Sequence, residues 1–179
     1  MVRNVIYDLE TGRFEALPLG NPKPFGRFSP DGRQLLTGGS DGLCQLWLLD
    51  QKRSELLWSC EEPEAIYGFQ VAFSPDGSRI AVPAKDGAWL LDARSGRRLT
   101  HLTGGDLMCF AWTPDGRRVA TGETSGAVRL WDPSTGEELC RLGKHSSSVP
   151  FIGFLPGGRT LASASTDRTV KLWMTENRR

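Results

Sequence analysis

The chain has 179 residues, 39% of them hydrophobic and 24% charged, with a formal net charge of +1. That is about one domain's length of ordinary globular composition, which makes disorder a poor reading, and nothing in that charge calls for a nucleic-acid partner, which would need a concentrated basic face. The N-terminal "MVRNVIYDLETGRF" has no apolar run long enough for a signal peptide, and no stretch approaches the roughly 18 apolar residues of a membrane span, so the expectation is a soluble, cytoplasmic chain with no membrane partner.

Taken in chain order, residues 4–20 hold two short strand patterns, "NVIYDLE" and "RFEALPLG". From residue 25 onward a four-strand unit recurs. A first apolar strand ends at Phe28, Phe73, Trp112 or Phe154, and a turn follows whose prolines are Pro30, Pro75, Pro114 and Pro156. These prolines lie roughly 40 residues apart, a period that marks one supersecondary unit per repeat. In "SPDG" and "TPDG", proline presets the first turn torsion and glycine accepts a positive one. A second strand leads to a tight turn at Asp41-Gly42, Asp86-Gly87, Ser125-Gly126 or Asp167-Arg168. A third strand then ends near Trp47, Leu91, Trp131 or Trp173. "DARSG" or "DPSTG" turns into a fourth, more polar strand such as "EELCRL".

No segment carries a helical period over three turns, so the chain is all-β and built of antiparallel meanders. It divides into a partial unit of third and fourth strands at 4–20, full units at 25–65, 66–106 and 107–145, and a unit at 146–175 that lacks its fourth strand. Together these make one repeat domain over 1–179.

The four cysteines, Cys44, Cys60, Cys109 and Cys140, contain no C-x-x-C pair, and each lies among apolar strand residues. The expectation is small buried hydrophobes kept reduced, with no zinc site.

These units resemble the WD-repeat β-propeller family. The last one, "GKHSSSVPFIGFLPGGRTLASASTDRTVKLW", is the nearest to the family pattern, and "VRLWD" at 128–132 holds the Trp-Asp pair itself. "VIYD" and "WLLD" are degenerate versions, with Tyr7 and Leu91 in the tryptophan position. The resemblance implies a β-propeller of four-stranded antiparallel blades, here an open arc or half-propeller rather than a full ring. It also implies a structural hydrogen-bonded tetrad of His145, Ser163, Asp167 and Trp173. In such a string a buried indole N–H finds an acceptor, and each polar member satisfies the next. The other units lack one or more members of the set, so mainly apolar packing is expected to hold them, and Trp173 is expected to anchor the last unit, with a larger cost of truncation than Leu91.

Catalytic readings of these residues are weak. "GGSDG" at 38–42 has the spacing of a hydrolase nucleophile turn, but a strand follows where that motif requires a helix. His145 and Asp167 are accounted for by the tetrad, and His101 is expected to face solvent on a fourth strand. Asp31, Asp76 and Asp115 recur once per unit, too far apart to converge on one calcium ion. No catalytic residue, cofactor or metal ligand is therefore expected.

Charge separates the two ends of the meanders. One end carries Asp41, Glu61, Glu62, Glu64, Asp86, Asp106, Glu123 and Asp167; the other holds many arginines roughly balanced by acids, and is mixed to basic. The resemblance implies a non-enzymatic protein–protein interaction scaffold. A partner is expected on the acidic end at Glu61, Glu62 and Glu64, together with a possible homodimer in which each N-terminal strand pairs with the other chain's 170–173 edge. The alternative is a propeller fragment, or the non-catalytic propeller domain of a hydrolase or other larger protein.

Overall fold

The computed structural model describes residues 5–7, 12, 14–16, 25–38, 43–49, 54–61, 71–84 and 86–174. The chain divides into two compact units, residues 1–66 and 67–179. In the first, β1 (Val5–Tyr7) and β2 (Phe14–Ala16) form a hairpin. β3 (Phe25–Phe28), β4 (Gln34–Gly38), β5 (Leu43–Leu49) and β6 (Ser54–Glu61) form sheet I. In the second unit, sheet II holds β7 (Ala72–Phe73), β8 (Arg79–Ala84), β9 (Gly87–Asp92) and β10 (Arg98–Thr103). Sheet III holds β11 (Leu107–Trp112), β12 (Val119–Glu123), β13 (Ala127–Trp131) and β14 (Glu138–Lys144). Sheet IV holds β15 (Phe151–Phe154), β16 (Thr160–Ala164) and β17 (Val170–Met174). Every pairing is antiparallel between strands consecutive in sequence, and each sheet is open. Among the described residues there is no helix. The fold class is therefore the one expected, all-β with four-stranded antiparallel blades.

The recurring first turn is held by its own side chains. Ser29, Ser74 and Thr113 donate their hydroxyls to Asp31, Asp76 and Asp115 at 2.6, 2.5 and 2.6 Å. Each hydroxyl in turn accepts an N–H from five residues on, those of Gln34, Arg79 and Arg118, at 2.9–3.0 Å. The glycine that follows each aspartate has φ 72°, 72° and 69°, a region where other residues pay a steric penalty. Satisfying these groups locally lets the first two strands of each sheet leave the turn in a fixed register. The same contacts hold the three aspartate carboxyls below the usual carboxylate range, the hydroxyl being the largest cause.

The register sets the core. Leu35, Ile80, Val119 and Leu161 lie directly opposite Trp47, Leu91, Trp131 and Trp173. Ala81, Ala88, Leu90 and Leu102 of sheet II pack against Leu107, Phe110, Trp112, Val119 and Trp131 of sheet III. Cys109, Ala120, Val128 and Leu130 of sheet III pack in the same way against Ile152 and Leu161 of sheet IV. Full burial of each leucine, isoleucine, valine or phenylalanine among them is worth roughly 1.5–3 kcal/mol. In the first unit, Ile6 of the hairpin packs on Leu35 and Trp47. A Cβ added at Gly122 on β12 would lie 2.7 Å from Val149 Cγ1, in the segment leading into β15, and 2.8 Å from Cys109 Sγ on the adjacent strand β11. Glycine is the residue that permits such an approach.

Candidate functional site

The structure brings His145, Ser163, Asp167 and Trp173 together. Trp173 Nε1 donates to Ser163 Oγ at 2.9 Å. Ser163 Oγ lies 2.8 Å from His145 Nε2, and His145 Nδ1 lies 3.1 Å from Asp167 Oδ2 and 3.0 Å from Thr169 Oγ1. The arrangement that satisfies every member puts the imidazole proton on Nδ1, facing the carboxylate, and leaves Nε2 to accept the serine hydroxyl. His145 and Ser163 are buried, while Trp173 is half-buried. The string thus ends on an indole inside the sheet packing, and its serine has no opening toward a substrate.

Asp167 is the most heavily solvated member by protein donors. It accepts from Thr169 Oγ1 at 2.6 Å, Thr169 N at 2.9 Å and Ser146 N at 3.0 Å. The Thr169 hydroxyl is the largest cause, with the backbone donors and His145 adding to it, and together they hold the carboxyl well below the usual carboxylate range. A carboxyl lowered on folding contributes stability that is present above its unfolded value and is lost as pH falls through its folded one. Asp167→Asn is therefore expected to flatten the loss of thermal stability between about pH 5 and about pH 2 relative to the parent chain. Melting temperatures of both proteins across that range check it, and equal slopes would show that Asp167 carries no such linkage.

The equivalent positions in the other sheets are filled differently. Trp47 Nε1 donates to Thr37 Oγ1 at 3.1 Å and Trp131 Nε1 to Thr121 Oγ1 at 2.8 Å, whereas sheet II places Val82 and Leu91 there. Sheet III also holds a polar cluster that the repeat pattern did not reveal. Glu123, 2% exposed, pairs with Arg129 Nε at 2.5 Å and accepts the Ser125 hydroxyl at 2.7 Å. Arg129 Nη1 reaches Glu138 at 2.7 Å. Sheet III, expected to be held mainly by apolar packing, thus has a buried ion pair beside its apolar core. Ser125 stands where the pattern calls for aspartate, and Glu123, two residues earlier, supplies the carboxylate. The signal was present as a glutamate at the end of β12 and an arginine facing back from β13.

His101 also departs from expectation. Its ring centroid lies 4.3 Å from that of Trp89, its Nδ1 is 3.1 Å from Thr103 Oγ1 and its Nε2 is 3.3 Å from Asp86. It is packed into sheet II rather than turned to solvent, because Trp89 stands on the neighbouring strand directly opposite it. The cysteines divide as well: Cys44 and Cys109 are buried, Cys60 is partly buried and Cys140 is exposed, which corrects the expectation of four buried thiols.

The acidic end is less free than its composition suggests, since Glu123 and Asp167 are committed to internal partners. Glu61 closes β6, but its side chain, like Glu62 and Glu64, lies outside the described residues. At the opposite end of the second unit, turns of sheets II and III border a cleft of about 660 Å³ lined by Asp76, Arg79, Trp112, Asp115, Arg117 and Asp132. Its carboxylates are engaged by their own turns, and Arg79 Nη1 donates to Pro133 O at 3.1 Å, so the cleft is a seam between blades. Among the described residues no group of three or more His, Cys, Asp or Glu side chains is placed to hold a metal ion.

The outer face of sheet IV carries an exposed apolar row. Phe151, Val170 and Leu172 are 54%, 68% and 56% exposed. Their counterparts in sheet III, Cys109, Val128 and Leu130, are 0%, 0% and 5% exposed, and Ala88 and Leu90 of sheet II are 0% exposed. Met174, 71% exposed, ends the same row, and among the described strands β17 is paired with β16 alone.

Comparison with known proteins accounts for this repeat. The family described as WD domain, G-beta repeat matches residues 27–47, 95–132 and 136–174, more than half of the chain. Protein HIR1 of Yarrowia lipolytica is 30% identical over 147 residues, 82% of this chain and 12% of that protein. One of the subunits of chromatin assembly factor 1 of Mus musculus is 28% identical over 153 residues, 86% of this chain and 23% of that protein. Transcription initiation factor TFIID subunit 5 of Caenorhabditis elegans is 24% identical over 177 residues, 96% of this chain and 27% of that protein. The chain thus spans between 12% and 27% of the length of these relatives. The crystal structure of the computationally designed Ika4 protein superposes with a TM-score of 0.69 at 22% identity, over 80% of this chain and 86% of that one, a likeness of fold. The cytoplasmic expectation is overturned here. It was a default drawn from the lack of a signal segment, and relatives named for chromatin assembly and transcription initiation belong to the nucleus. With the matched repeats, the paired tryptophan positions and the four-stranded blades in agreement, the chain belongs to the WD domain, G-beta repeat family.

Proposed function

We propose that this chain is a non-enzymatic protein–protein interaction scaffold, and that the outer face of sheet IV receives a second copy of the chain. The observation that carries the reading is the exposure of Phe151, Val170 and Leu172 at positions buried in sheets II and III. An apolar sheet face with an unpaired edge strand is a template for association. The occupant of each corresponding face inside the second unit is another blade of this same repeat, so a second copy presents surface of matching chemistry. Two of the relatives are themselves named as subunits of larger assemblies, which supports an assembly role. A protein partner also suits a chain of net charge +1 better than nucleic acid does. The tetrad of His145, Ser163, Asp167 and Trp173 holds the blade that presents this face.

Light scattering on the purified chain is expected to give the mass of a dimer. Val170→Glu combined with Leu172→Glu is expected to give a monomer with an unchanged far-ultraviolet spectrum, because two carboxylates buried against an apolar face cost several kcal/mol. Removal of residues 1–20 shows whether the N-terminal strands supply the contact, in which case that deletion also yields monomer. A parent chain that runs as a stable monomer, or a dimer untouched by the double glutamate change, overturns the assignment of this face.

A further inference from the structure

We propose that Cys44 and Cys60 form a reversible cross-strand disulfide in sheet I, making this pair a redox-modification site. The register of β5 and β6 places the two residues directly opposite each other. Opposed residues of an antiparallel pair project to the same face, with Cα atoms about 4.5 or 5.5 Å apart. Both separations fall within the roughly 4.4–6.8 Å that a disulfide spans. The opposition depends on a bulge. Trp47 pairs with Leu56 while Leu46 pairs with Trp58, so Leu57 is the extra residue. Without that extra residue Ser59 would oppose Cys44, and Cys60 would point to the other face.

Access is one-sided. Cys60 is partly exposed, whereas Cys44 is 0% exposed, and both are thiols in the structure. With oxidised glutathione as co-reactant, the Cys60 thiolate attacks one glutathione sulfur. The glutathione S–S bond breaks, and one glutathione leaves as thiolate. The Cys44 sulfur then attacks Cys60 Sγ, the Cys60–glutathione S–S bond breaks, and the second glutathione leaves with the Cys44 proton. Two protein thiols are oxidised and one glutathione disulfide is reduced to two thiols. A bridge between directly opposed strands must accommodate the twist of the pair, and departures from preferred disulfide geometry make the bond easier to reduce. The other two cysteines lack this arrangement. Cys109 Sγ donates to Val149 O at 3.1 Å and burial pushes its thiol up to about 12, while Cys140 is exposed and faces Leu130 across the strands.

The test incubates the whole chain with oxidised glutathione, alkylates the remaining thiols and digests without reduction. The expected products are a Cys44–Cys60 linked peptide lighter by two hydrogens, reversed by reduced glutathione, and a glutathione adduct at Cys140. Cys44→Ser is expected to trap the adduct at Cys60, and Cys140→Ser to leave the linked peptide unchanged. Alkylation of both Cys44 and Cys60 after the incubation, or a stable glutathione adduct at Cys60 in the parent chain, overturns the proposal.

Discussion

Replacing Trp131 by alanine is expected to lower the unfolding free energy by about 3–5 kcal/mol, the usual cost of truncating a large aromatic side chain in a core. Trp131 is 2% exposed and belongs to the cluster that joins sheets II and III, with Leu90, Leu102, Leu107, Phe110 and Val119. Its removal also takes the indole donor away from Thr121, a fully buried hydroxyl. Trp173→Ala is expected to cost less although its tetrad is complete, because the ring is half-buried and its strand lies at the edge of sheet IV. The number of polar partners thus ranks below the apolar area removed from water in deciding which tryptophan anchors the second unit. Urea melts of the two variants decide the order. A larger loss for Trp173 would show that the hydrogen-bonded string outweighs burial.

The second large effect is expected at Glu123. Removing one partner of a buried ion pair typically costs about 3–5 kcal/mol, because the remaining charge is left without compensation. Arg129 is 17% exposed and keeps Glu138, so Glu123→Ala is expected to cost about 2–3 kcal/mol. Glu123→Leu combined with Arg129→Met is expected to recover much of that loss, since a buried pair replaced by apolar residues of similar volume is often neutral or better. A double-mutant cycle by denaturant melts measures the coupling. A single-variant loss under about 0.5 kcal/mol, the range of ordinary surface changes, would show that the pair contributes nothing to sheet III.

The two effects differ in how far they were visible beforehand. Trp131 stands in a repeated register, and its burial follows from the strand pattern. The Glu123–Arg129 pair replaces the family's aspartate with a carboxylate two residues away, a substitution that a position-by-position comparison of repeats passes over. The same limit applies to His101, whose environment is decided by Trp89 on the adjacent strand. It applies also to Cys140, whose apolar neighbours in sequence did not bury it.

By itself the sequence determined what is local. The Ser/Thr-Pro-Asp-Gly turns close within six residues through their own hydroxyls and carboxylates, so strand order, strand number and the antiparallel meander could be read from spacing alone. The pairing of each tryptophan position with an apolar residue of the preceding strand follows from the same turns. Only the tertiary structure decided which of these faces are covered. Val128 and Val170 occupy the same place in the repeat, yet one is 0% and the other 68% exposed, because burial depends on whether another sheet is packed there. Only the structure set Cys60 against Cys44, through one bulged residue at Leu57. A side-chain period of two makes the facing of every residue beyond a bulge depend on that single insertion, and neither composition nor repeat spacing records where it falls.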